Sequence, residues 1–232
     1  MRIPAIVASL IIPASALVAD TAQESIKDAT EVFQEVMQTP DKGIPQDLLE
    51  KAQCVVIVPG LKKGAFIVGG EYGRGVAECR RPDRSRWSAP AMVRVEGGSV
   101  GFQIGGTSTD VVMLIMSQRG MDKLMSDKFT LGADASVAAG PVGRTAQAAT
   151  DVELHAEILA WSRARGVFAG ISLSGATLRP DDKRNEDLYG HKISNREVLN
   201  DNAPPPPAAR PLIAELNKYS PRAGDSADRQ RH

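Results

Sequence analysis

Hydrophobic and polar positions alternate in residues 97–116, and this stretch predicts the centre of the fold. Val100, Phe102 and Ile104 fall on one side of an extended chain, with small or polar residues between them. A period of two is typical of a strand with one buried face. Residues 111–116 are apolar without interruption, which indicates a strand buried on both faces. We therefore expect the rest of the chain to pack around these two strands.

Further extended segments define the fold class. Residues 54–58, 65–70, 76–80, 87–95, 129–137, 153–161 and 167–178 have the composition or the alternation of strands. Short links between consecutive strands favour antiparallel pairing. Glycine recurs inside the segments at positions 69, 70, 101, 105, 132, 170 and 175, where only curvature or close packing justifies it. We predict an α+β fold: a strongly curved, mostly antiparallel, glycine-rich sheet or partly closed barrel of about eight strands, with N-terminal and C-terminal helices packed on it.

Amphipathic helices are predicted near both ends of the chain. In residues 21–38, Ile26, Ala29 and Phe33 fall on one stripe, and acidic residues occupy the other positions. Residues 211–219 predict a terminal helix that docks through its leucines. Shorter helical segments are predicted after residue 45 and at 119–126, 181–189 and 195–199.

Composition divides the chain into three parts. The proline run at positions 204–207 excludes a regular helix or central strand, so it predicts an extended spacer. We assign a signal peptide to residues 1–19, a single domain to residues 20–202, and the spacer, docking helix and disordered tail to residues 203–232.

The first 19 residues have the pattern of an export signal. Arg2 supplies a positive charge, 16 uncharged and mostly apolar residues follow, and Ala19 precedes Asp20. As a helix this run spans about 24 Å, short of the ~30 Å hydrocarbon core, which favours cleavage over a membrane anchor. We expect cleavage after Ala19 and an exported chain, periplasmic or secreted. Such a chain has no transmembrane span and can associate peripherally with a membrane.

Charge is segregated along the chain, although the formal net charge is zero. Residues 20–53 have a net charge of −5 and residues 60–94 a net charge of +5. Zero overall charge gives no bulk attraction to nucleic acid, which is therefore not an expected partner. The turn-like composition of residues 59–64 places Lys62 and Lys63 at a predicted hairpin tip, near Arg74 in a glycine-rich turn. These three residues are the candidate anion site, and the alternative is that the lysines only solvate an exposed turn. A second basic cluster, favoured as a solvated loop, comprises Arg80, Arg81, Arg84 and Arg86.

The two cysteines, Cys54 and Cys79, are expected to remain buried thiols. A hairpin that turns at residues 59–64 puts Cys54 opposite Gly69, ten residues before Cys79. A disulfide requires Cα atoms within about 7 Å. Export would nevertheless allow the pair to form, so a disulfide is the open alternative.

The sequence lacks the common catalytic motifs. The sequence contains no HExxH motif, no zinc-type spacing of Cys or His and no G-x-S-x-G elbow. Asp151, Glu153, His155 and Glu157 would share one face of a strand, and a solvated face is the favoured interpretation over a metal or acid–base site. We therefore predict a protein that is not an enzyme and requires no cofactor.

Four motifs in order resemble the SYLF domain family. They are VVIVP (55–59) with GAFIVGGEYGRG (64–75), GGSVGFQIG (97–105) with TDVVM (109–113), ILAWSRARGVFAGISLSG (158–175), and DLYG (187–190). The resemblance extends from about residue 22 to about residue 219. It implies a lipid-binding module without catalysis, since eukaryotic relatives bind phosphoinositides and some bind actin, while bacterial relatives are exported or lipid-anchored.

One departure limits what the resemblance implies. Eukaryotic relatives contact membranes through a basic N-terminal helix, whereas the corresponding helix here is acidic. We therefore expect a non-catalytic lipid-binding module of the bacterial cell envelope that contacts anionic phospholipid headgroups through Lys62, Lys63 and Arg74. The alternatives are a carrier of an apolar ligand, a scaffold for envelope proteins and, with least support, an enzyme built on His155. Actin is not an expected partner of an exported bacterial chain.

Overall fold

One curled sheet forms the centre of the protein in the computed structural model. The structure describes residues 21–39, 43–65, 68–81, 86–100, 105–141, 156–164, 167–168 and 173–220. The strands are β1 (Cys54–Ala65), β2 (Val68–Cys79), β3 (Ala91–Val100), β4 (Gly105–Ile115), β5 (Phe129–Thr130), β6 (Val137–Ala139), β7 (Ile158–Ala164), β8 (Val167–Phe168) and β9 (Thr177–Pro180). Their order is β5–β9–β3–β2–β1–β4–β7–β6, and β8 pairs with β7.

The described helices precede, interrupt and follow these strands. They are α1 (Ala22–Gln38), α2 (Gln46–Lys51), α3 (Gln118–Leu124), α4 (Asp182–Tyr189), α5 (Asn195–Glu197) and α6 (Arg210–Tyr219). A π-helical turn (Val198–Asn202) follows α5, and a 3-10 turn (Pro207–Ala209) precedes α6. All strand pairs are antiparallel except β6 with β7. The predicted α+β fold, with a strongly curved sheet and helices at both ends, is confirmed.

The sheet is buried on both faces, as the apolar runs of β1 and β4 predict. Val56 and Val58 belong to an inner core cluster with α3, β5 and β9. Val55 and Ile57 belong to an outer core cluster with α1, α2 and α6. We call the two sides of the sheet the inner and outer face accordingly. Alternation along β1 therefore assigns each side chain to one of two cores.

The helix α1 covers part of the outer face. A capping box starts it: the Thr21 hydroxyl accepts from the Glu24 amide, and the Glu24 carboxylate accepts from the Thr21 amide at 2.8 Å. Ile26 and Phe33 are fully buried against the sheet, as their spacing predicts. The Phe33 ring meets Tyr219 of α6 edge-on at 6.1 Å, so the two terminal helices pack together.

The predicted turn at residues 59–64 is wrong, because β1 continues through this segment with a bulge. Val58 pairs with Val111 of β4 and Leu61 with Thr109, so β1 carries one extra residue. Gly60 absorbs it with a φ of 57°, which glycine adopts without strain. The turn residues Pro and Gly therefore mark an irregularity inside a longer strand.

Gly75 of β2 is the partner that this bulge requires. A Cβ atom at Gly75 would lie 2.1 Å from the carbonyl oxygen of Ile57, a backbone contact that no side-chain movement relieves. The glycine-rich run in β2 therefore allows close approach to the bulged strand and is not a loop.

The longer hairpin also corrects the prediction for the cysteines. Cys54 lies directly opposite Cys79, with Cα atoms 3.9 Å apart, and the two form a disulfide. The prediction of free thiols is wrong because it rested on the misplaced turn. Both cysteines are fully buried in the inner core cluster.

Two predicted long strands are shorter in the structure. Residues 129–137 form β5, a turn at Gly132 with a φ of 82°, and the start of β6. In residues 167–178, β8 and the start of β9 flank a turn at Gly175, and positions 169–172 lie outside the described residues. The predicted strand at 153–161 begins at residue 158, and positions 151–155 and 1–20 lie outside the described residues.

Candidate functional site

The bulge in β1 forms the floor of a groove between α1 and the outer face of the sheet. Its volume is about 580 Å³. We call it the α1 groove. It is lined by Ser25, Asp28, Glu31, Val32 and Glu35 of α1 and by Pro59, Gly60, Lys62, Tyr72, Gly73, Arg74, Ser108 and Asp110 of the sheet. Pro59, Gly60 and Gly73 have small side chains or none, so they leave space at the base of the groove, and longer side chains line its sides.

Lys62 is an exposed cation that lines the α1 groove. In the sheet it lies between Tyr72 of β2 and Ser108 of β4, so all three side chains project from the outer face. No carboxylate among the described residues lies within ion-pair distance of Lys62. Its ammonium group is therefore available to a ligand in the groove.

The other two predicted site residues are already paired. Arg74 lines the same groove, where it contacts Asp181 at 3.3 Å and lies 5.5 Å from the centre of the Tyr72 ring. Lys63 contacts Glu71 at 2.7 Å, and period two places it on the inner face. The structure thus brings Lys62 and Arg74 together and separates them from Lys63.

The wall opposite Lys62 is acidic and is attached to the sheet by Arg163. The Arg163 guanidinium pairs with Glu35 of α1 and lies 3.8 Å from Asp110 of β4. Asp110 also accepts a hydrogen bond of 2.9 Å from the Gly60 amide. Arg163, which resembles a family position in the sequence, therefore has a structural role between helix and sheet.

A row of arginines extends the basic side of the groove. Arg94 of β3 lies directly opposite Arg74 of β2, and Arg179 of β9 lies directly opposite Arg94. We call these three residues the arginine row. Glu96 lies 2.7 Å from Arg94 and 3.6 Å from Arg179. The sequence did not reveal the row because it depends on the register of strands distant in the chain.

The described members of the second basic cluster predicted from the sequence have different environments. Arg80 is buried, stacks 4.4 Å over Trp87 and donates to the Leu49 carbonyl at 3.2 Å. Arg81 and Arg86 line another groove of about 410 Å³ beside Pro204 and Pro205. Arg84 lies outside the described residues.

Metal-binding groups and membrane-spanning helices were considered within the part of the chain that the structure describes. No group of three His, Cys, Asp or Glu side chains in the described ranges could hold a metal ion. His155, the centre of the alternative enzyme hypothesis, lies outside those ranges. None of the helices described in the structure is both long and apolar enough to cross a bilayer.

One carboxyl group is buried away from the groove. Glu78 of β2 is fully buried, and burial raises its pKa well above the usual 4.5. Neither carboxylate oxygen has a hydrogen-bond partner in the described part of the chain. Burial and, to a smaller extent, the charge of Glu78 raise the pKa of Tyr189, whose hydroxyl donates to the Pro90 carbonyl at 2.7 Å. Burial therefore favours the protonated, neutral form of the Glu78 carboxyl group.

Comparison with known proteins identifies the class to which this fold and groove belong. Residues 96–219 match the family described as "Ysc84: Las17-binding protein actin regulator". The chain belongs to this Ysc84, or SYLF domain, family, which confirms the resemblance seen in the sequence.

Several curated relatives are similar over most of the chain. It is 34% identical to LAS seventeen-binding protein 3 of Saccharomyces cerevisiae over 179 residues, which are 76% of this chain and 39% of the relative. It is 30% identical to human SH3 domain-containing YSC84-like protein 1 over 203 residues, which are 87% of this chain and 58% of the relative. The chain therefore spans roughly half the length of these relatives.

Proposed function

We propose that the protein is a non-catalytic module of the bacterial cell envelope that binds anionic phospholipid headgroups in the α1 groove. The observation that carries this proposal is the position of Lys62, exposed on the outer face and without an ion-pair partner among the described residues. Arg74 lies in the same groove and is the second candidate ligand of a phosphate.

The three cations predicted from the sequence do not contribute equally to this proposed site. A lysine near an anionic leaflet contributes about 1 kcal/mol. Arg74 must share its charge with Asp181, which is almost fully buried, and Lys63 is close to Glu71. We therefore assign the largest contribution to Lys62, a smaller one to Arg74, and none to Lys63, which lies on the inner face and does not line the groove. The acidic α1 wall of the same groove, which includes Asp28, Glu31 and Glu35, opposes an anion, so the resulting binding is weak and sensitive to salt.

Charge reversal at Lys62 is expected to weaken binding strongly. For Lys62→Glu we expect a loss of about 2 kcal/mol, equivalent to about 30-fold in affinity, because one attraction is replaced by one repulsion. Flotation with phosphatidylcholine vesicles that contain phosphatidylglycerol measures this at low salt. The matched control is Lys51→Glu, which makes the same change on an exposed side chain of α2, before the start of β1.

The two variants distinguish binding at the α1 groove from a general effect of the protein's net charge on vesicle binding. Retention of Lys62→Glu on anionic vesicles at the wild-type level would reject the α1 groove as the contact site. Equal losses for Lys62→Glu and Lys51→Glu would also reject it, since net charge alone would then explain binding. Circular dichroism checks that both variants fold.

The envelope location is supported by two features of the chain. Residues 1–19 have the pattern of an export signal. The disulfide between Cys54 and Cys79 is typical of proteins from oxidising compartments.

A protein-binding scaffold is the second candidate, favoured by the description of the family as a Las17-binding actin regulator. Tyr72 is an exposed aromatic side chain beside Lys62. Aromatic side chains of this kind are enriched in protein–protein interfaces. Envelope proteins captured in the presence of detergent and lost on Tyr72→Ala would support this candidate. An apolar carrier has less support, because both described grooves have arginine or lysine in their walls.

A further inference from the structure

The arginine row brings three like charges together across three neighbouring strands. Arg74 faces Arg94, and Arg94 faces Arg179, so each pair occupies directly opposite positions. Like charges in such positions destabilise a sheet. The arginine row therefore lowers the stability of the folded sheet, and this indicates a role for the row other than stabilisation.

Nearby carboxylates offset only part of this charge. Glu96 contacts Arg94 and Arg179, and Asp181 contacts Arg74 at 3.3 Å. Asp181 is also 3.9 Å from Arg184, so its charge is divided between two arginines. The three guanidinium groups of the row and that of Arg184 thus share two carboxylates, so the ion pairs among the described residues leave a net positive charge on this part of the sheet.

The row is accessible and continuous with the α1 groove. The side chains of Arg74, Arg94 and Arg179 are 41%, 31% and 36% exposed. Arg94 and Arg179 alternate with inner-core residues along their strands, and Arg74 lies directly opposite Arg94, so all three project from the outer face, as Lys62 does. Arg74 belongs to both the row and the groove.

The spacing of the row suits two anionic groups. Neighbouring strands are about 4.8 Å apart, so Arg74 and Arg179 are separated by about 10 Å at the backbone. Lys62 and Arg74 can hold one phosphate in the groove. Arg94 already donates through Nε to Glu96 and through Nη1 to the Pro180 carbonyl, so its Nη2 group and the Arg179 guanidinium present the second set of donors across β3. Arginine is well suited to this task because its planar donors bind phosphate oxygens in pairs.

We infer that the arginine row is a second anion subsite, which binds the second phosphate of a lipid carrying two phosphodiesters joined by a short bridge. This inference rests on the proposed function, because the first phosphate occupies the α1 groove beside Lys62. Arg94 and Arg179 then belong to the binding site, and the protein prefers lipids with two phosphodiesters over anionic lipids with one.

Vesicle flotation with two lipids tests the inference. Phosphatidylcholine vesicles contain either cardiolipin, which has two phosphodiesters, or phosphatidylglycerol, which has one, at equal total phosphate charge. We expect the wild type to bind cardiolipin vesicles more tightly. Arg94→Gln and Arg179→Gln should each reduce cardiolipin affinity about fivefold while changing phosphatidylglycerol affinity much less.

The control variant is Arg119→Gln, which removes the same charge from an exposed position on α3. It should leave the preference for cardiolipin unchanged. Equal wild-type affinity for the two vesicles, or the same preference in all variants, would overturn the subsite while leaving the proposed function intact. Absence of binding to both vesicles would instead refute the proposed function and with it the subsite.

A structural role for the row would give a different result. If Arg94 and Arg179 only support the sheet, their replacement lowers the melting temperature but does not change the ratio of the two affinities. A constant ratio in folded Arg179→Gln, the milder change at the short strand β9, would therefore also overturn the inference.

Discussion

Replacing both cysteines by alanine is expected to lower the free energy of unfolding by about 3 kcal/mol. The disulfide joins Cys54 to Cys79 across 25 residues, so it restricts the unfolded chain by closing a loop of that length. Chemical denaturation of the oxidised wild type and of the Cys54→Ala/Cys79→Ala double variant measures the difference.

Reduced wild-type protein is the control for this result. It retains both sulfur atoms in the inner core, so it separates the loss of the cross-link from the loss of buried volume. We expect the reduced protein to account for most of the 3 kcal/mol. Free thiols in the unreduced, denatured protein, or equal stability of the oxidised and reduced forms, would contradict the disulfide.

Replacing Glu78 by glutamine is expected to remove a strong pH dependence of stability. Burial raises the pKa of Glu78 in the folded state above its ordinary value of 4.5. As pH rises from about this value towards the raised pKa, the unfolded chain releases the proton and the folded chain retains it. Folded-state stability therefore falls with rising pH in this window, by about 1.4 kcal/mol per pH unit.

The sign of this effect distinguishes Glu78 from ordinary acidic residues. Below pH 4.5 both states are protonated, so wild type and Glu78→Gln should have similar stability. At neutral pH the variant should be the more stable, since glutamine has no proton to lose. Glu186→Gln, an exposed change on α4, should follow the wild type. Parallel curves for wild type and Glu78→Gln in denaturation between pH 4 and pH 8 would contradict the account.

The periodicity of apolar residues predicted those helices and strands whose residue pattern is compatible with only one kind of secondary structure. The stripe of Ile26, Ala29 and Phe33 defined α1, and the apolar run at 111–116 defined the buried part of β4. Repeated glycines correctly indicated a strongly curved sheet.

The bulge could not be predicted from local composition. Pro59, Gly60 and Gly64 are typical of a turn, and the same residues also serve an extended strand that must absorb one extra residue. Only the partner strand decides between the two, because Gly75 leaves room for the Ile57 carbonyl. The disulfide was missed for the same reason.

The candidate site was predicted in part. Lys62 and Arg74 do line one groove, whereas Lys63 lies on the other face because adjacent residues of a strand alternate. Arg94 and Arg179 could not be chosen in advance, since their alignment with Arg74 depends on the pairing of β3 with strands before and after it. Cross-strand register is information that a single sequence expresses only weakly.

Photo-crosslinking from inside the α1 groove tests the central claim most directly. Ser108 lies opposite Lys62 in the sheet and lines the groove, so a photoreactive residue at this position probes the contact without changing a charge. With vesicles that contain phosphatidylglycerol, the account predicts covalent adducts between position 108 and phospholipid, which mass spectrometry identifies. The same photoreactive residue at the exposed position 186 should give a much lower yield of lipid adducts. Equal lipid adducts from both positions, or adducts only with protein from position 108, would contradict it.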